Sequence, residues 1–110
     1  MKVISTRKAP AAIGSYSQAI QVGNFVFTSG QIPIDPATGT FTECEIKEQT
    51  RQSLTNVKAI LEETGLSMSN VVKTTVFMAD MGDFANMNTV LQRQIRVFQT
   101  ETIRKKRPNK

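Results

Sequence analysis

Alternating apolar and polar positions predict β-structure in the first part of the chain. Residues 19–22 and 25–29 are apolar runs on either side of Gly23-Asn24, a pair that favours the two-residue turn of a β-hairpin. Residues 1–6 predict a further short strand, at the edge of the sheet. The pattern therefore indicates a small sheet before any helix begins.

A change of period from two to about 3.6 predicts the first helix at residues 45–64. Its apolar residues share one face and are Ile46, Leu54, Val57, Ile60 and Leu61. Gly65 follows, where a glycine favours the C-terminal end of a helix. Residues 71–78 are rich in β-branched side chains and predict a buried strand.

A second helix is predicted after an acidic cap, since Asp80 or Asp83 can accept hydrogen bonds from the first turn. Apolar residues then recur every three or four positions, at Phe84, Met87, Leu91, Ile95 and Phe98. We expect Met81, Met87 and Phe84 to lie in the core. The pattern fades beyond this helix and predicts no further strand. The order of elements predicts an α+β domain with two helices on one face of a sheet.

Composition narrows the chemistry that the chain can perform. Its 110 residues suit one domain, and no apolar run approaches the roughly 20 residues that span a bilayer. There is no histidine, and Cys44 is the only cysteine, which excludes Ser-His and Cys-His pairs, histidine metal ligands and an intrachain disulfide. We expect a cytoplasmic protein without metal or cofactor, whose catalysis would depend on carboxylates, Tyr, Lys, Arg, backbone groups or water.

The positive charge is concentrated at the end of the chain. Residues 1–90 contain seven Lys/Arg and eight Asp/Glu, whereas residues 91–110 contain seven Lys/Arg and one Glu. The net charge of +5 therefore arises from the last twenty residues. We expect residues 1–99 to form the α+β domain and residues 100–110 to be a disordered basic tail.

Five segments carry motifs in a recognisable order and spacing. They are residues 9–18 (APAAIGSYSQ), 28–33 (TSGQIP), 51–60 (RQSLTNVKAI), 72–78 (VKTTVFM) and 83–88 (DFANMN). In these segments the chain resembles the Rid (YjgF) family of enamine and imine deaminases. The resemblance covers about residues 3–90. It implies the chorismate-mutase-like, YjgF-type α+β fold, assembled as a homotrimer in which the sheets form an inner barrel and the clefts lie between subunits.

The same resemblance implies a hydrolase that detoxifies reactive intermediates. Its reaction converts enamines and imines such as 2-aminoacrylate and 2-iminobutanoate to 2-keto acids and ammonia. A protonated imine is already electrophilic, so the site needs mainly to hold the substrate, place a water and accept a proton. By resemblance, Tyr16 and Ser29 are the expected catalytic residues, and Gly30 and Asn88 are expected to bind substrate.

The chain departs from the family after about residue 90. The family holds the substrate carboxylate with an arginine in a Pro-Ala-Arg-Ser segment, and no such segment follows Asn88 here. The strand that follows that segment and a terminal strand with a water-positioning glutamate are also missing. Arg104 lies near the expected distance, but its neighbours do not match. We hypothesise a frameshift or a divergent terminus, and we expect weak or no activity.

Two other functions stay open at this point. The basic residues of the tail could bind RNA through its phosphates, and the family has members described as ribonucleases or translation inhibitors. The tail lacks interleaved aromatic residues and known nucleic-acid motifs, which favours a solvated charge run. The chain could also be a non-catalytic trimeric scaffold.

Overall fold

Seven strands, two α-helices and two 3₁₀ turns make up the part of the chain that the structure, a computed structural model, describes: residues 1–12, 16–42, 45–94 and 100–105. The strands are β1 (Lys2–Ile4), β2 (Ala19–Val22), β3 (Phe25–Thr28), β4 (Ile34–Asp35), β5 (Thr40–Phe41), β6 (Lys73–Met78) and β7 (Thr100–Lys105). The helices are α1 (Ile46–Glu63) and α2 (Phe84–Gln94), and the 3₁₀ turns are Met68–Asn70 and Met81–Asp83.

The predicted hairpin and edge strand are confirmed. Strands β1, β2 and β3 form an antiparallel sheet in that order, and Ile20 on β2 lies opposite Val3 on β1 and Phe27 on β3. Gly23 in the turn has a φ of +58°, a conformation that favours glycine. Residues opposite one another share a face, so Val3, Ile20 and Phe27 lie on the same side of the sheet.

Helix α1 follows the predicted boundaries, with Glu45 before its first residue and Thr64 after its last. Gly65 has a φ of +81°, and its N–H donates to Glu62 O at 3.0 Å. The N–H of Leu66 donates to Leu61 O at 2.9 Å, which completes a glycine-based helix end. Within the described residues, no helix is both long enough and apolar enough to cross a membrane.

One face of the three-stranded sheet packs on α1. The buried residues that form this cluster are Ile4, Ala9, Ala19, Ala59 and Ile60, and Val26 packs against them. Ile60 is fully buried, so it is the central side chain of this contact. The α+β arrangement with a helix on one sheet face is therefore confirmed.

Helix α2 packs on β6 and on the first half of α1. Buried Met78, Met87 and Leu91 form this second cluster, against which Ile46, Leu54 and Val76 pack. The first cluster thus joins α1 to the three-stranded sheet, and the second joins α2 and α1 to β6. Two apolar clusters, both of which include residues of α1, thus contain most of the buried apolar side chains of the described protein.

Two details of this region differ from the sequence expectation. Met81 and Phe84 are 42% and 38% exposed, not core, because Asp80 begins a 3₁₀ turn that precedes α2 and breaks the helical period. The strand β6 is half-buried, with Val76 on the inner side and Phe77 exposed, because only one of its faces meets a helix. Ile95 and Phe98, predicted to continue the apolar stripe of α2, lie outside the described residues.

A strand follows α2, although the charge pattern predicts none. β7 runs parallel to β6 with Lys73 opposite Thr100 and Met78 opposite Lys105. A sheet ladder uses backbone N–H and C=O groups, so basic side chains do not prevent it, and the β-branched residues of TETIRK favour it. Residues 100–105 of the expected tail therefore have regular structure, and residues 106–110 lie outside the described residues.

Amide hydrogen exchange tests this strand. We expect backbone amides within residues 100–105 that face β6 to exchange at least about tenfold more slowly than in an unstructured peptide of the same sequence, because they donate to the ladder. Mass spectrometry of peptides covering this segment measures the rates. Exchange at the unstructured rate would show that the segment does not pair with β6.

Candidate functional site

Ser29 joins the end of β3 to the segment that precedes β2. Its backbone N–H donates to Gln18 O at 2.9 Å, and its Oγ donates a short hydrogen bond to Ser17 O. Ser29 is half-buried. Two of the motifs that sequence analysis singled out, residues 9–18 and 28–33, therefore meet at this serine.

Gln18 connects the same place to the loop after β1. Its side chain is 3% exposed, and its Oε1 accepts from the Thr6 N–H at 2.6 Å. Its Nε2 lies 3.0 Å from Thr6 O, 3.2 Å from Ala9 O and 2.7 Å from Pro10 O. An amide nitrogen has two hydrogens, so one of them is shared between two of these carbonyl oxygens.

Tyr16 lies two residues before Gln18, and its side chain is 55% exposed. Residues 13–15, immediately before it, lie outside the described residues. The hydrogen bonds of Ser17 and Gln18 fix the backbone that follows Tyr16 against Ser29. The phenol of Tyr16 is therefore accessible on the same short segment that contacts Ser29.

Gly30 leaves open space beside Ser29. A Cβ added at Gly30 would meet no heavy atom within 4 Å, and its φ lies outside the left-handed region. Neither packing within this chain nor backbone conformation therefore requires glycine here. Close approach of another molecule to the backbone is a physical reason for glycine at such a position.

Asn88, the fourth residue expected from the resemblance, lies apart from Ser29 on α2. It follows buried Met87 and is half-buried, at the margin of the helix face that packs on β6. Its Oδ1 is buried without a hydrogen-bond partner. Buried carboxamide oxygens are nearly always paired, so Asn88 presents an unused acceptor. The hydrogen bonds that join Ser29 to Ser17 and Gln18 do not extend to it.

Sequence analysis missed two buried carboxamides that position this region, Gln18 and Asn56. Asn56 is fully buried on α1; its Nδ2 donates to Ile32 O at 3.2 Å and Ile34 O at 3.0 Å. Its Oδ1 accepts from Gln52 Nε2 at 2.9 Å. The available signal was the position of Asn56 one helical turn before Ile60, where a polar residue interrupts the apolar stripe.

Tyr16, Ser29 and Gly30 lie on neighbouring exposed or half-exposed backbone, which we call the open edge. The groups at this edge suit polar recognition of a small molecule. The Ser29 hydroxyl donates its proton to Ser17 O, so its remaining lone pairs can accept from a ligand N–H or a water. The exposed Tyr16 phenol can both donate and accept. Within the described ranges, no group of three or more His, Cys, Asp or Glu side chains is placed to hold a metal ion.

Comparison with known proteins places this arrangement in a family. The profile of the endoribonuclease L-PSP family (Ribonuc_L-PSP), which contains the Rid and YjgF proteins, matches residues 6–108. The chain belongs to the Rid (YjgF) family. The match extends beyond residue 90, after which this chain carries none of the family segments quoted from its sequence.

Rid-family relatives and structures resemble the chain over most of its length. A RutC family protein of Pyrococcus abyssi is 60% identical over 89 residues, which are 81% of this chain and 70% of that protein. A 2-iminobutanoate/2-iminopropanoate deaminase of Salmonella typhimurium is 53% identical over 91 residues, 83% of this chain and 70% of the enzyme.

The crystal structure of a candidate endoribonuclease of Thermotoga maritima has a TM-score of 0.91 and 45% identity, and the match covers 96% of this chain and 84% of that one. The Rid fold expected from the sequence is thus confirmed. A coverage of 96% is too high to leave out residues 91–110, so the structural likeness includes part of the basic segment.

Replacement of Asn56 tests the support of the Ile32–Ile34 backbone. We expect Asn56→Ala to lower the free energy of unfolding by about 2–4 kcal/mol, because it removes the hydrogen bonds to the Ile32 and Ile34 carbonyl oxygens and opens a cavity at a fully buried position. Urea unfolding followed by circular dichroism measures the change. The control is Asn86→Ala on the exposed face of α2, expected to change stability by less than about 0.5 kcal/mol. Equal effects of both variants would contradict the assignment.

Proposed function

We propose that this protein hydrolyses small 2-imino acids, such as 2-iminobutanoate and the imine tautomer of 2-aminoacrylate, to 2-keto acids and ammonia. The observation that carries the proposal is the 53% identity to an enzyme named 2-iminobutanoate/2-iminopropanoate deaminase, over 83% of this chain. The meeting of the Tyr16 and Ser29 segments at one open edge supports it. The substrate is a small molecule, and the cytoplasmic location expected from the sequence is part of the same proposal.

The reaction needs water to add to the C=N carbon and then ammonia to leave. In the proposed arrangement, the free lone pairs of Ser29 Oγ accept the N–H of the protonated imine. The Tyr16 phenol contacts the attacking water or the departing nitrogen, and Gly30 lets the substrate approach the backbone. Asn88 Oδ1 supplies a further acceptor. Each of these groups acts by orientation and hydrogen bonding, which suits a substrate that is already electrophilic.

Impaired activity is the second part of the proposal. Charge-assisted bidentate pairs are among the strongest hydrogen bonds in proteins, and the chain lacks the Pro-Ala-Arg-Ser segment that holds the carboxylate in the family. In the β6–β7 ladder, Arg104 lies opposite Phe77, and its sequence neighbours Ile103 and Lys105 do not match the arginine segment of the family. We therefore propose that only uncharged groups bind the substrate here, those of Tyr16, Ser29, Gly30 and Asn88. We expect the affinity for the substrate to be lower than in relatives that have the arginine.

Keto-acid formation downstream of a serine or threonine dehydratase tests this function. We expect the folded protein to accelerate keto-acid release, but less than the Salmonella enzyme does. Ser29→Ala should lower the acceleration by about tenfold or more, since it removes the acceptor for the imine N–H. Ser5→Ala, an exposed serine at the end of β1, is the matched control and should behave as wild type.

The outcomes separate the parts of the proposal. No acceleration by a folded wild-type chain would exclude the deaminase function. Acceleration that Ser29→Ala leaves intact would exclude the proposed site. A rate equal to that of the Salmonella enzyme would show that the arginine is not needed.

We further propose that the protein is a homotrimer, as the family resemblance implies. The face of the three-stranded sheet that α1 does not cover carries large exposed apolar side chains. These are Val3, Val22, Phe25 and Phe27, which are 61%, 48%, 64% and 62% exposed. Burying a phenylalanine contributes about 1.5–3 kcal/mol, so copies of the chain gain stability by covering this face.

A charge on this face tests the assembly. We expect the wild-type protein to have a mass near three times the 12.2 kDa of one chain, and Phe27→Glu to dissociate it because the carboxylate would be buried. Light scattering after size exclusion measures the mass. Thr55→Glu adds the same charge to the exposed surface of α1 and should leave the trimer intact. A wild-type monomer, or dissociation by both variants, would contradict the assignment.

Nucleic-acid binding is the second candidate function. The excess of Lys and Arg in residues 91–110 favours it, and so does the name of the family. Such binding depends on counterion release, so it should weaken steeply as salt concentration rises. RNA binding by a chain that is inactive towards imines would favour this candidate, and a folded trimer with neither property would be a non-catalytic scaffold.

A further inference from the structure

We propose that Gln18 is a positioning residue: its buried carboxamide holds the loop after β1 and the Tyr16 segment in a fixed relation to Ser29. The consequence for catalysis rests on the proposed deaminase function. The placement of Tyr16 by Gln18 does not rest on the deaminase function, because it is a property of the free protein.

A carboxamide is costly to bury at this point unless it has hydrogen-bond partners. Among the residues whose burial is described, Gln18 and Asn56 are the buried polar side chains. A buried carboxamide without partners is destabilising, whereas an apolar side chain of similar size fills the same volume without that penalty. Packing alone therefore does not account for glutamine here, but its four close polar contacts do.

The contacts of Gln18 connect two separate segments of the chain. On one side, the Gln18 side chain binds both backbone groups of Thr6 and the carbonyl oxygens of Ala9 and Pro10. On the other side, the Gln18 backbone oxygen accepts from the N–H of Ser29. One residue thus joins the loop that leads towards Tyr16 to the serine of the proposed site.

Gln18 lies close to Tyr16 along the chain. One residue, Ser17, separates them, and its carbonyl oxygen accepts from Ser29 Oγ. A shift of Gln18 therefore moves the Tyr16 backbone and the acceptor of the Ser29 hydroxyl together. Since misplacement by about 1 Å can cost a hundredfold in rate, such a tie determines how well the site is organised.

Intrinsic fluorescence gives a direct readout, because Tyr16 is the only tyrosine and the chain has no tryptophan. The variants are Gln18→Met, which keeps the length without the carboxamide, and Gln18→Asn, which keeps the carboxamide on a shorter stem. Gln21→Met and Gln21→Asn are matched controls on β2, where the side chain makes one long, exposed contact at 3.4 Å with Gly23 O. Circular dichroism and light scattering confirm equal folding and equal mass.

We expect acrylamide quenching of Tyr16 to rise in folded Gln18 variants by up to about twofold, since the side chain is 55% exposed at the outset. Its steady-state anisotropy should fall, and neither Gln21 variant should change either quantity. In the coupled keto-acid assay, kcat/KM should fall by about tenfold in the Gln18 variants. If Gln18→Met does not fold, Gln18→Asn provides the test.

The readouts keep this proposal separate from the proposed function. A folded Gln18 variant with wild-type quenching and anisotropy would overturn the positioning role, whatever its thermal stability. Increased quenching in a protein whose wild type is inactive would support the positioning of Tyr16 and reject the deaminase function. Increased quenching with unchanged kcat/KM in an active protein would overturn the link between this placement and catalysis.

Discussion

The hydrogen bonds of the buried Gln18 carboxamide are the interactions on which the arrangement of the open edge depends. The loop after β1 has carbonyl groups that no strand or helix pairs, and buried backbone groups must find partners. The Gln18 side chain contacts three of these carbonyl oxygens and one backbone N–H, that of Thr6. The backbone carbonyl oxygen of Gln18 accepts from the N–H of Ser29. Asn56 donates to the carbonyl oxygens of Ile32 and Ile34, before and at the start of β4. Two buried amide side chains thus attach irregular backbone segments to the sheet and to α1, and the first of them also contacts Ser29 of the proposed site through its backbone.

Sequence reasoning succeeded where one dominant period decides the structure. Gly23-Asn24 between apolar runs predicts the hairpin, and the apolar stripe with Gly65 predicts α1 almost to the residue. Sequence reasoning failed where the structure depends on a short turn or on backbone hydrogen bonds between strands. The 3₁₀ turn after Asp80 shifts Met81 and Phe84 out of the expected core face. The pairing of β7 with β6 uses main-chain groups, which the charges of that segment neither predict nor exclude.

The candidate site was predicted only through family resemblance. Taken alone, Tyr16 is a half-exposed tyrosine and Ser29 a strand end, and no periodicity distinguishes them. Their relation depends on hydrogen bonds to Ser17 and Gln18, which become visible once β2 and β3 are paired. The open space at Gly30 likewise cannot be read from a sequence, because it is a property of what surrounds the residue. The chemistry that follows is modest: acceptors, a phenol and an approachable backbone, for a substrate that needs only orientation and water.

The central claim is that this edge binds a small 2-keto or 2-imino acid through Tyr16, Ser29 and Gly30. Titration of the isotope-labelled protein with 2-oxobutanoate, the product of the proposed reaction, tests it most directly by NMR. The account predicts saturable shifts of backbone amides in residues 16–18 and 29–31, with an affinity weaker than that of a relative with the carboxylate-binding arginine. Shifts confined to the basic residues near the C-terminus, or no shifts at concentrations that saturate such a relative, would contradict it.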